Sequence, residues 1–337
     1  MDTITHIALG ACVGEVIADK QLGKKAILIG AFANSIPDLD FVTSFWLDVD
    51  NALLAHRGLT HSILFGVVIS VLLAFLFQRW FGIRSGMTYK KWFFFFLIEI
   101  FLHLFIDAFN AYGIGWFEPF NHYRVSFNAI FVADPFYSVW LGIAFVMLLV
   151  IKRDHAKRLF WAEFGLGIST LYFMYCIVNK IKTDTDIRTM LRQEHISYNK
   201  YFTTPTPLNN WLWCVTAGND TGFYIGYYSV FDREKKIDLH FFPQNDSLLN
   251  SIRKFEDVQN LQRFSKGFYT VEKWSDTLVF NDLWFEQMTG WYDPNAKFVF
   301  HYYLQRPGAN KLVVQRGRFS NWNLKTLRSL AKRIKGN

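Results

Sequence analysis

Apolar residues come in long blocks through the first half of the chain and in short, interrupted runs through the second. Four blocks, at 63–81, 92–110, 136–151 and 160–178, are flanked by aromatic residues of the kind that sit at membrane interfaces. A helix needs about 20 apolar residues to cross the hydrocarbon core. The pattern therefore predicts four membrane spans.

Two shorter runs precede them, at 6–18 and 26–36, with Ala8, Gly10, Ala11 and Gly14 spaced along the first. Small residues let helix backbones approach closely, so these runs predict a tight helical hairpin that ends at Pro37-Asp38-Leu39-Asp40. Beyond Lys180 charges become frequent and Pro205 and Pro207 interrupt the chain. Short aromatic and β-branched runs at 211–216, 222–231, 297–305 and 311–315 predict strands. Helical patterns fall at 184–195, 246–264 and 323–335. The fold class expected is a mainly α, polytopic membrane bundle over residues 1–179, followed by an α+β soluble domain over residues 180–337.

Composition supports a mixed chain: of 337 residues, 51% are hydrophobic and 19% aromatic. The formal net charge of +8 is concentrated in short loops and in the second half. That placement fits orientation signals, and no nucleic-acid partner is expected. The loop with Arg79, Arg84, Lys90 and Lys91 and the loop with Lys152, Arg153, Lys157 and Arg158 are both predicted to face the cytoplasm. Lys20, Lys24 and Lys25, at the bend of the hairpin, then fall on the same side. The soluble domain falls on the opposite, extracytoplasmic side. Cys12, Cys176 and Cys214 are too scattered for a disulfide or thiolate framework. The first residues lack a basic leader segment, so insertion is expected to rely on the internal runs.

The candidate chemistry gathers at one end of the predicted bundle. His56-Arg57-Gly58-Leu59-Thr60-His61-Ser62 leads into an apolar run, and ionisable groups at such places usually have a partner or a function. His56 and His61, five residues apart, cannot share a helix face, so His56 is expected on the approach and His61 at the first turn. Gly58 is expected to supply the bend and Thr60 the helix cap. His103 and Asp107 stand at i and i+4, on one helix face. Asp38 and Asp40 share a turn after Pro37, and His6 reaches the same rim through the hairpin.

His6, Asp38, Asp40, His56, His61, His103 and Asp107 form the candidate ligand set. For His56 the alternative is a residue that supports a ligand. Nitrogen and oxygen donors suit zinc, or manganese and iron, in one or more ions. Asp40 or Asp107 could double as general base, and Arg57 or Arg124 could clamp an anionic oxygen. His122 and Asp134 are reserve ligands in the following loop.

These residues resemble the YdjM-like family of bacterial inner-membrane metal-dependent hydrolases, through His6, Pro37-Asp38-Leu39-Asp40, the His56–Ser62 string and His103 with Asp107, then Gly113 and Pro119. The resemblance covers about the first 140 residues. Asn110 stands where the family pattern leads one to expect a threonine. The resemblance implies a location in the bacterial inner membrane and ligand roles for His6, Asp38 or Asp40, His61, His103 and Asp107. It also implies a distant likeness to the zinc-dependent phospholipase C and nuclease superfamily.

The function expected is a multi-pass membrane hydrolase that cleaves an ester or phosphoester, a lipid-linked one being among the candidates, with a metal-activated water at the bilayer surface. The alternative is a non-catalytic membrane protein, stapled by its ion, whose outer domain binds a partner.

Overall fold

The computed structural model describes residues 1–153, 155, 157–304, 310 and 322–336. The chain divides into two compact units: residues 1–45 with 55–177, and residues 46–54 with 178–337.

In the first unit, α1 (Thr3–Leu22) and α2 (Lys25–Ser35) form the expected hairpin. Gly23, at φ 57°, closes α1 in a backbone conformation that side chains resist. The two helices touch through glycine: a Cβ on Gly10 would lie 2.4 Å from the Gly30 carbonyl oxygen, and one on Gly14 would lie 2.3 Å from that of Ala26. A 3₁₀ segment, Pro37–Phe45, follows, bent by 55° from α2. The chain then forms α3 (Val49–Ala55), nearly all of it in the second unit, and the first unit resumes with a 3₁₀ turn at Leu59–His61, α4 (Ile63–Ser85), α5 (Tyr89–Asp107) and α6 (Pro135–Val150).

Among the described residues two helices, α4 over Ile63–Gly82 and α7 (Lys157–Gln193), are long and apolar enough to cross a membrane, or three segments if the bent pair is counted as one span. The expected four are not all confirmed. In α5, Lys90, Lys91, Glu99 and Asp107 interrupt the apolar run, and the stripe Trp92, Phe95, Phe96, Glu99, Ile100, His103 is buried in protein. α6 has 16 residues, or about 24 Å of helix against a core of about 30 Å.

α7 is continuous, where the sequence pattern suggested two helices at 160–178 and 184–195. No glycine or proline interrupts it after Gly167, so nothing in the backbone breaks its hydrogen bonding where the charges become frequent. Arg158, counted above as an orientation signal, is instead buried against Glu15, with Nη2 to Oε2 at 2.6 Å.

The second unit contains an antiparallel sheet in the order β1 (Lys200–Pro205), β2 (Leu212–Asn219), β3 (Gly222–Ser229), β4 (Leu239–Pro243). Ile187, Met190 and Leu191 of α7 pack with Val215, Ala217 and Tyr228 of this sheet. A second sheet follows in the order β5 (Tyr269–Trp274), β6 (Thr277–Gln287), β7 (Phe298–Tyr303). Phe202 and Trp284 bring the sheets together, ring centroids 4.3 Å apart. The expected helix at 246–264 is a 3₁₀ turn, Asp246–Leu249, and then α8 (Glu256–Phe264). A last helix occupies Leu324–Ile334. The strand expected at 311–315, and Gln305 at the end of another, lie outside the described residues.

Candidate metal centre

Four side chains from three places converge. Asp38 comes from the 3₁₀ segment after α2, His61 from the turn before α4, and His103 and Asp107 from one face of α5. His61, His103 and Asp107 are fully buried and Asp38 nearly so. The Nε2 atoms of His61 and His103 are 3.1 Å apart. His61 Nε2 lies 3.6 Å from Asp38 Oδ1 and 3.7 Å from Asp107 Oδ2. His103 Nε2 lies 3.6 Å from each of those two oxygens. All four donor atoms fall within 4.8 Å of one another.

Proton positions follow from what surrounds the rings. His103 Nδ1 is 2.6 Å from the Asn34 carbonyl oxygen, which only accepts, so Nδ1 carries a proton. His61 Nδ1 faces Asp40 Oδ2 at 3.3 Å, so it too is the protonated nitrogen. In the neutral rings both Nε2 atoms therefore present lone pairs, facing two carboxylate oxygens. Four lone pairs thus meet in a buried volume, with the Arg57 guanidinium beside one of them, at Asp107 Oδ2, and a cation among the four would stabilise them.

A divalent ion fits. Tetrahedral zinc with ligand distances of about 2.0–2.1 Å has ligand-to-ligand edges of about 3.3 Å, and the five separations that involve a histidine nitrogen, 3.1 to 3.7 Å, bracket that value.

The other expected ligands stand around this group. Asp40 accepts from the Arg57 backbone N–H at 2.7 Å and from Thr60 Oγ1 at 2.8 Å, and pairs with His56 Nδ1 at 2.9 Å. With His61 Nδ1 as well, its oxygens are committed to holding neighbours. His6 sends Nδ1 to Asn34 Oδ1 at 3.1 Å and places Nε2 3.2 Å from Asp107 Oδ1, beside the Met1 nitrogen. His56 is the open member: 38% of its side chain is exposed. Dehydration by the protein around it pulls its pKa below the ordinary value, and the hydrogen bond to Asp40 works against that shift.

Arg57 lies with Nη2 3.0 Å from Asp107 Oδ2, donates through Nη1 to Asn110 Oδ1 at 2.8 Å, and donates through Nη2 to the Met1 carbonyl at 3.0 Å. Its guanidinium thus supports Asp107. Asn110, in place of the expected threonine, also donates to Asp107 Oδ1 at 3.3 Å.

Local details differ from expectation. Ser62, through Oγ, caps α4 by accepting from the Phe65 N–H, while the Thr60 hydroxyl serves Asp40. Arg57 takes the left-handed conformation, φ 59°, next to Gly58. His122 pairs at the surface with Glu118. Asp134 caps α6, accepting from the Phe136 N–H at 2.9 Å and the Tyr172 hydroxyl at 2.9 Å. Burial raises the Asp134 carboxyl to about 6. Arg124 donates to the His56 carbonyl.

Sequence reasoning missed Asn34 and Glu99. Both carried a signal: Asn34 is a lone amide in the apolar part of α2, and Glu99 stands four residues before His103 on the buried face of α5.

Known proteins resemble this chain in part. The family described as YdjM inner membrane protein matches residues 1–182. The inner membrane protein YbcI of Escherichia coli (strain K12) is 32% identical over 124 residues, 36% of this chain and 69% of YbcI. The uncharacterized protein YfhP of Bacillus subtilis (strain 168) is 31% identical over 244 residues, 67% of this chain and 68% of YfhP. No solved structure matches.

Proposed function

We propose, for a chain that belongs to the YdjM inner membrane protein family, that it is a membrane-bound metal-dependent hydrolase acting on an ester or phosphoester. The observation that carries this reading is the set of four lone-pair donors of Asp38, His61, His103 and Asp107 at the separations of a metal site. Bound there, a divalent ion such as zinc supplies Lewis acidity toward a water and toward the substrate's ester or phosphoryl oxygen.

The chain's own residues divide the remaining work. Asp40 orients His61 and His56 together, and Arg57 with Asn110 fixes Asp107. His56 gives its Nδ1 to Asp40 and has a partly open ring, so it is placed to take a proton at Nε2. Leu39, Phe41 and Leu59, each 54% exposed, flank the turns that carry Asp38, Asp40 and Thr60. An apolar rim of this kind suits an amphiphilic, lipid-linked substrate. The positive-inside pattern supports an extracytoplasmic placement of the site and of the second unit.

The complete burial of His61, His103 and Asp107 favours one other reading, in which the ion only staples the helices. Metal content of the purified full chain, measured with turnover on phosphodiester and ester substrates, separates the two. The hydrolase reading expects about one or more ions per chain and turnover lost on chelation. Bound metal with no turnover on any substrate, and unfolding on chelation, would establish the staple. Absence of stoichiometric metal would overturn both.

A further inference from the structure

Asn34, fully buried near the end of α2, touches two imidazoles through two different oxygens. Its main-chain carbonyl accepts from His103 Nδ1 at 2.6 Å, and its side-chain Oδ1 accepts from His6 Nδ1 at 3.1 Å. The rings it holds are stacked, with centroids 3.7 Å apart and planes 23° apart.

The orientation of the Asn34 amide is set from the other side. Its Nδ2 donates to the Glu99 carbonyl oxygen at 2.8 Å and to Glu99 Oε2 at 3.2 Å. Turning the amide over would set Oδ1 against the Glu99 main-chain carbonyl oxygen, which only accepts, and Nδ2 against the His6 N–H. Glu99 itself is fully buried, and a Cβ on Gly30 would lie 2.9 Å from its Oε1. A carboxyl group in such a place is costly unless it does something an apolar side chain would not.

We propose that Asn34, keyed by Glu99, is the positioning residue that sets the proton-bearing nitrogen of His6 and holds the His6 and His103 rings, so that their Nε2 atoms face Asp107 and the metal cluster. The inference rests on the reading that the cluster holds a metal. Glu99 decides which end of the amide His6 meets, and Asn34 transmits that choice. Partners of metal-binding histidines typically change affinity by about 10- to 100-fold when removed.

The test is Co²⁺ binding to the full chain in detergent, followed by titration and by the visible absorption of the bound ion. Asn34→Leu removes the acceptor of His6 and leaves the main-chain acceptor of His103 in place, so it is expected to weaken Co²⁺ binding by about 10-fold, the low end of that range. Glu99→Gln, which keeps an acceptor for the amide, should stay within about threefold of the original chain by the same standard. Asn34→Asp keeps the acceptor for His6 but sets a carboxylate oxygen against the Glu99 main-chain carbonyl and Oε2, and adding Glu99→Gln turns the second of these into a donor, so that partial recovery is expected. Recovery of affinity in that double variant is an effect that packing alone would not produce. If Asn34→Leu fails to fold, the Asn34→Asp pair decides. Equal affinity in the original chain, the single variants and the double variant would overturn the inference while leaving the metal site standing. Absence of Co²⁺ binding by the original chain would overturn the metal reading, and the inference with it.

Discussion

His61 and His103 face each other through Nε2 atoms 3.1 Å apart, while the Nδ1 atoms of both rings are taken by acceptors from other parts of the chain. Two neutral rings so held direct lone pairs at the same point. The relationship is the geometric core of the metal proposal, since the Asn34 carbonyl and the Asp40 carboxylate accept at the two Nδ1 atoms and so leave Nε2 open.

His61→Ala, His103→Ala and Asp107→Ala should each reduce bound metal to a small fraction of the original content, read by elemental analysis of the folded chain. His155→Ala, a change outside the cluster, should leave it unaltered. Equal retention in all four variants would end the case for this site.

Asp40→Asn should behave differently from Asp38→Asn. Asp40 surrounds the site with hydrogen bonds, so its neutral isostere should lower affinity by about 10- to 100-fold. Asp38 offers a donor atom to the cluster itself, and Asp38→Asn should cost more. Competition with a chelator of known affinity ranks the two, and a larger loss at Asp40 would exchange their roles.

Glu15→Ala should destabilise the first unit by about 3–5 kcal/mol, because it leaves the buried Arg158 guanidinium without its carboxylate. The expected reading is a lower Tm with unchanged metal content per folded chain. An unchanged Tm would show that Arg158 finds other partners at no cost.

Asp134 predicts a pH dependence of stability. Its folded pKa of about 6 lies above the ordinary value of 3.8, so the folded chain binds this proton more tightly than the unfolded chain. The contribution is fully present below about pH 4 and is lost as pH rises through 6, by about 3 kcal/mol at most. Asp134→Asn keeps the cap acceptor and should remove that part of the slope, seen as a flatter Tm profile between pH 4 and 7. Parallel profiles for the two proteins would contradict the assignment.

Asp220→Cys tests the proposed side of the second unit. The Asp220 side chain is 81% exposed, and the three native cysteines are buried. Its surface pair with Lys200 is worth little. A membrane-impermeant maleimide should label the variant in intact cells. Labelling only after lysis would place the unit in the cytoplasm.

The hairpin, the histidine and carboxylate candidates, and the change of character after Lys180 were legible in the chain because each rests on local pattern. Small-residue spacing predicts close helix contact, and the i, i+4 spacing of His103 and Asp107 puts both on one face. Three of the strand runs were read as strands for the same reason, whereas β1, β4, β5 and β6 were missed. Their pairing is decided by partner strands distant in sequence, and strand preference depends on that context.

The sequence by itself determined which side chains could bind a metal and that they lie toward one end of the apolar helices. Only the tertiary structure decided how they are arranged: Asp38, His61, His103 and Asp107 around one point, Asp40 and Arg57 behind them, and Asn34 bridging His6 to His103. Residue type limits what a group can donate or accept. Which of those capacities is turned toward the site depends on neighbours up to about a hundred positions away, as between His6 and Asp107.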